Sequence, residues 1–196
     1  MRISNIVFVN ANACEYIGSD ILDELSRSIR CINRLFKFNS MVSLEFIHSA
    51  HFDLCDMSSY IDAEAVAVNR SIYIFTDKIK GDSLVELIAH EYVHVCIEST
   101  FISRCPLWLN EGLAMFLSGQ HQKIEPSRPI DIEQFYTSTH TTAFFYNMAI
   151  FVVLKLLGKI SLLNLIAQAR NCRAFAEDSL LGTEQIKALI TSDMES

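Results

Sequence analysis

The sequence lacks a basic excess, and that absence bounds its partners first. Sixteen Lys and Arg face 23 Asp and Glu, so the formal net charge is −7. A chain of that sign carries no electrostatic footprint for nucleic acid. Nor does any Lys/Arg block draw it to an anionic lipid surface. Long apolar runs are missing too. The most hydrophobic stretch, 143–157, contains Asn147 and Lys155. It falls short of the ~20 apolar residues that a spanning helix needs, so a core helix is expected there. The N-terminal run Ile6-Val7-Phe8-Val9 is too short for a signal peptide, and no small-residue cleavage site follows it. The six cysteines, at 14, 31, 55, 96, 105 and 172, form no C-x-x-C pair and no framework spacing. Reduced thiols, a cytoplasmic setting and no membrane span are the expectations that follow. Cys96 and Cys105 bracket one short loop and could approach one another, but no disulfide is expected between them.

No internal repeat, low-complexity tract or linker divides the chain. Its 51% hydrophobic and 20% charged content are those of a folded globular chain. A length of 196 residues suits one domain with a substantial core. We therefore read 1–196 as a single domain, with 1–82 mainly sheet-forming plus one helix and 83–196 mainly helical. Residues 3–9 read as a strand, 20–36 as a helix capped by Ser19 or Asp20, and 42–48 as a second strand. The stretch 67–75 reads as a third strand, strongest over Ser71-Ile-Tyr-Ile-Phe. His48 and His51 lie close together without a carboxylate or thiolate at useful spacing, and read as loop histidines. Helices are expected over 141–157, closed by Gly158, and over 162–169 and 183–191. Residues 120–140 form the least regular part of this half, with Pro126 and Pro129 setting turns.

The chemistry concentrates in His90-Glu91-Tyr92-Val93-His94. It lies in Ser83-Leu-Val-Glu-Leu-Ile-Ala-His-Glu-Tyr-Val-His-Val-Cys-Ile, an apolar run with no Pro or Gly. That run reads as a buried helix, with Ser83 and Glu86 spaced as a capping box. Residues four apart leave the same helix face, so the two imidazoles can share one Zn²⁺. Glu91 is rotated by about 100° from His90, placing it to reach a water on that metal rather than to ligate. This is the H-E-x-x-H arrangement, in which the Glu is a general base. A lone histidine on an apolar helix is usually a core residue bonded to a carbonyl. Burying two of them with a carboxylate and no common partner would cost several kcal/mol.

After a short loop comes Pro106-Leu-Trp-Leu-Asn-Glu-Gly-Leu-Ala-Met-Phe-Leu-Ser-Gly119. Pro106 suits the first turn of a helix and Gly119 its C-terminal cap. Two helices so joined are expected to pack antiparallel, with Glu111 able to face His90 and His94. Two His and a Glu with an open fourth position make a catalytic zinc set rather than a structural one. The plainer reading of Glu111 is a solvated helix carboxylate, against which its flanks, Trp-Leu and Gly-Leu-Ala, argue.

His90-Glu91-x-x-His94 followed by Trp108-Leu109-Asn110-Glu111-Gly112-Leu113-Ala114 resembles the gluzincin zinc metallopeptidases, closest to the compact peptidase MA-like group. The resemblance implies an α+β fold: a small mixed sheet N-terminal to, and packed on, a mainly helical half carrying the metal site. It implies one Zn²⁺ held by His90, His94 and Glu111, with Glu91 activating water against a peptide or protein substrate. It also implies an oxyanion stabiliser, for which Tyr146 is the matching position and Tyr136 and His140 are competitors. The strand over 67–75 would border the cleft and pair with an extended substrate, or would be an ordinary sheet strand. Two departures stand out. Met115 occupies the place one turn after Glu111 where some gluzincins carry an acid. No G-x-M-E-N-type segment is present either, which favours an endopeptidase over an exopeptidase. A metal-stabilised binding or regulatory domain of the same fold is the rival reading, and hydrolysis of a non-peptide amide is a third.

Overall fold

The computed structural model describes residues 2–9, 16–52, 63–80, 83–102, 105–127, 134–135, 141–171 and 181–191. Among the described residues, five strands and six α-helices make it an α+β protein, with the strands N-terminal to most of the helices. The chain divides into two compact units, Met1–Cys96 and Ile97–Ser196. The boundary falls inside a helix, later than the change of character at 82/83 expected from the sequence.

The first unit holds one mixed sheet. β1 (Arg2–Ile3) and β2 (Ile6–Phe8) form a hairpin rather than the single strand expected over 3–9. The turn between them is made by Ser4, whose φ of 49° is left-handed. α1 (Ser19–Phe36) then crosses over to β3 (Val42–Ile47), parallel to β2. Its buried positions Leu25, Ile29, Ile32 and Phe36 recur at four, three and four residues, the stripe that an α-helix presents on one face. Its N-cap is Gly18, with no side-chain cap, and not Ser19 or Asp20 as expected.

The stretch read as one strand over 67–75 is likewise a hairpin, β4 (Ala65–Val68) and β5 (Ser71–Phe75). It reverses at Asn69, φ 56°, a residue type tolerant of that region. The sheet order is β1-β2-β3-β5-β4. β5 is therefore paired on both sides, with β3 in parallel and β4 antiparallel. Its backbone donors and acceptors are spent within the sheet, so it cannot add a substrate strand; among the described residues the sheet ends at β1 and β4. Alternation puts Ile6, Phe8, Val42, Leu44, Phe46, Ile72 and Ile74 on one buried face. Phe52, Val66 and Phe75 form a smaller cluster with Ile47, Ala63, Val68 and Tyr73.

α2 (Leu84–Thr100) begins directly after Ser83 and carries the H-E-x-x-H stretch. The second unit is helical: α3 (Leu107–Ser118), α4 (Ala143–Leu157), α5 (Leu162–Asn171) and α6 (Thr183–Thr191). α3 starts at Pro106 and stops at Gly119, φ 90°, as its punctuation indicated. α4 is capped by the Thr142 hydroxyl, which accepts from Phe145 N at 3.1 Å. It buries Phe145, Met148, Ala149, Ile150, Val152, Val153 and Leu156, the pattern of a core helix. Among the described residues no single helix is long and apolar enough to cross a membrane.

α3 and α4 approach so closely that Gly112 has no room for a side chain. A Cβ there would sit 2.6 Å from Val153 Cγ2 and 2.8 Å from the Ala149 carbonyl oxygen. Trp108, Leu109, Leu113 and Ala114 are fully buried around it. Trp108 meets Phe135 at a ring-centroid distance of 6.5 Å, and Phe135 meets Phe145 at 5.2 Å.

Candidate metal centre

α2 is apolar nearly all round. From Leu87 to Ile97 every residue is buried except His94, which is half-buried. Within that helix His90 is 7% exposed and Glu91 8%. The imidazoles of His90 and His94 stand one turn apart, ring centroids 4.7 Å apart and planes at 77°. One ligand atom from each of His90, Glu91 and His94 lies within 4.8 Å of the others. Donors sharing a tetrahedral ion with bonds of 2.0–2.1 Å lie about 3.3 Å apart, so modest side-chain rotation suffices to close the group on a cation. These three residues could hold a metal ion, and imidazole with carboxylate suits a divalent transition metal. The half-buried His94 gives the group its side open to solvent.

The back of the same helix is also polar at one point. Tyr92, fully buried, donates its hydroxyl to Asn33 Oδ1 on α1 at 2.7 Å. Phe38 packs edge-on against its ring, centroids 5.9 Å apart. Burial pushes the Tyr92 hydroxyl well above its ordinary range, so it acts as a neutral donor. Asn33 Nδ2 in turn donates to Ser4 Oγ at 3.4 Å. The sequence reading passed over this pair. The available signal was a tyrosine inside an apolar helix, since a buried hydroxyl requires a partner. The partner, 59 residues away, is not readable from spacing.

Glu111 lies in the second unit on α3. It is 7% exposed, so the solvated-carboxylate reading does not apply. Its neighbours are in place for packing: Trp108, Leu109, Leu113 and Ala114 fill the core, and Gly112 admits α4. A buried carboxylate among these apolar neighbours is not explained by packing alone. Burial pushes the Cys105 thiol far up, and the nearby Glu111 carboxylate raises it further. Burial does the same to Cys96. Both stay neutral thiols, and neither they nor the exposed Cys31 form a disulfide.

Tyr146 sits half-buried in the first turn of α4, its backbone N–H bonded to the Thr142 carbonyl at 3.1 Å. Tyr136 and His140, like Cys14, Cys55, Cys172 and Pro129, lie outside the described residues. His48 and His51 are exposed, with ring centroids 5.8 Å apart. His48 Nδ1 accepts from Ala50 N at 3.2 Å, and it also lies 3.9 Å from the carboxylate of Asp77, a partner distant in sequence that the spacing did not offer.

No protein-family model matches this chain, and no curated protein matches it.

Proposed function

We propose that the chain is a zinc-dependent peptidase acting on peptide or protein substrates as an endopeptidase. The observation that carries the proposal is the trio His90, Glu91 and His94, gathered within 4.8 Å on a helix otherwise committed to core. Two buried polar residues in such a helix are costly to keep, and a shared cation offsets that cost. His90 and His94 would be zinc ligands through neutral imidazoles. Glu111 is the proposed third, supported by its burial and by the resemblance of its segment to the second gluzincin motif. When bound, zinc supplies Lewis acidity and lowers the pKa of a water to about 7.

The remaining chemistry belongs to the chain. Glu91 takes the proton from the attacking water and later returns it to the leaving amine nitrogen. A carboxylate one residue from His90 serves this role because it reaches the same space without competing for the ligand position. Tyr146 is proposed to donate a hydrogen bond to the oxyanion, with Tyr136 and His140 as the alternatives. Free thiols at Cys31, Cys96 and Cys105 suit a reducing, cytoplasmic setting.

Glu91→Gln tests the proposal. It should leave metal content and fold unchanged while abolishing cleavage of a broad peptide library. Wild type and variant that are equally inert would overturn the peptidase reading in favour of a metal-stabilised binding domain.

A further inference from the structure

We propose that Asn33 is a positioning residue for the metal centre, acting through Tyr92 to fix the rotation of α2 about its axis. The inference rests on the reading of His90 and His94 as metal ligands. It starts from a property of α2 itself. A helix with one apolar stripe has its rotation set by the core, but a helix buried on nearly every side does not. Leu, Ile, Val and Ala side chains are spread over the faces of 85–97, so no single apolar stripe marks one face of the helix for the core. A ligand pair on such a helix needs a directional contact to hold its azimuth.

The Tyr92 hydroxyl supplies that contact. Tyr92 lies two residues after His90 and two before His94, about 200° of rotation from each. It therefore anchors the face opposite the imidazoles. Its 2.7 Å bond to Asn33 Oδ1 ties the helix to α1 across 59 residues of sequence. Asn33 is itself held at several points. Its carbonyl accepts from Lys37 N, at the left-handed cap of α1, and from Phe38 N at 3.1 Å. Its Nδ2 reaches Ser4 Oγ at 3.4 Å, in the left-handed turn between β1 and β2. The carbonyl of Asn5, next in that turn, accepts from Val42 N at the start of β3 at 2.8 Å. The tether thus refers the metal helix to the N-terminal hairpin, the end of α1 and the centre of the sheet. Fully satisfied buried polar contacts of this kind rigidify a core and select one arrangement of it.

Co²⁺ binding tests the proposal, because its visible absorption reports coordination geometry as well as occupancy. Tyr92→Phe keeps the ring and its packing against Phe38 and removes only the hydroxyl. We expect it to weaken Co²⁺ binding about tenfold, in line with losses of supporting contacts at metal sites, and to shift the absorption band. Asn33→Leu should do the same, and the double variant should be no weaker than either alone, because both remove one contact. Asn33→Asp, which keeps an acceptor, should bind within about twofold of wild type. Ile29→Val, a core change elsewhere on α1, should lower stability without moving affinity or spectrum. If Tyr92→Phe and Asn33→Leu bind Co²⁺ as wild type does while His90→Ala does not, the tether is structural only and the proposal fails. If His90→Ala also binds as wild type, the metal reading itself fails.

Discussion

Gly112→Ala should destabilise the protein although alanine is the better helix former. The new methyl would lie 2.6 Å from Val153 Cγ2, 2.8 Å from the Ala149 carbonyl oxygen and 3.2 Å from the Ala149 carbonyl carbon. Ordinary contacts begin near 3.4 Å. Val153 can turn its methyl aside, but the Ala149 oxygen is backbone and can move only with α4. Overpacking of this kind costs about 1–3 kcal/mol. Replacing a mid-helix glycine by alanine returns about 1 kcal/mol. With backbone rather than a flexible side-chain end in the way, the upper part of the overpacking range, about 2–3 kcal/mol, applies. The net expectation is therefore a loss of about 1–2 kcal/mol, or roughly 2–8 °C in Tm for a chain of this length. Thermal and urea unfolding followed by circular dichroism measure it. A variant as stable as wild type, or more so, would refute the claim that close helix approach dictates this glycine. The variant carries a second readout. Gly112 adjoins Glu111, so a displaced α3 should also weaken zinc binding if Glu111 is a ligand.

Four further outcomes are expected. His90→Ala and Glu111→Ala should each lower the zinc content of purified protein by an order of magnitude or more, measured by plasma emission. Unchanged stoichiometry would remove that residue from the ligand set. Asp77 accepts from the Ser49 hydroxyl at 2.6 Å and from Ser49 N at 2.7 Å, which holds its carboxyl down at about 2. A depressed carboxylate contributes stability above its ordinary value of 3.8 that is lost as pH falls through about 2. Ser49→Ala should move the titration of Asp77 upward, read by NMR. In alkylation mapping of the folded protein at neutral pH, the exposed Cys31 should react fastest, the half-buried Cys105 more slowly, and the fully buried Cys96 should stay protected. Equal labelling of Cys31 and Cys96 would contradict the burial of Cys96 within α2.

The parts of the fold that were readable in the sequence are those with local causes. α2 follows from an uninterrupted apolar run, and α3 from Pro106 and Gly119 at its two ends. The meeting of His90 with His94 follows from helical spacing alone. Features that depend on distant partners were not readable. Both hairpins of the first unit read as single strands in the sequence because their turns use left-handed Ser4 and Asn69 rather than glycine. The internal position of β5 depends on sheet order, which strand composition does not encode. The hydrogen bond from Tyr92 joins elements 59 residues apart, so the variable middle of the H-E-x-x-H stretch concealed the contact that secures its back face.

Anomalous X-ray scattering at the zinc absorption edge, from crystals of protein purified with zinc, tests the central claim most directly. The account expects one strong peak bonded to the imidazoles of His90 and His94 and to the carboxylate of Glu111. A peak on other residues, or none beside His90 and His94, would contradict it.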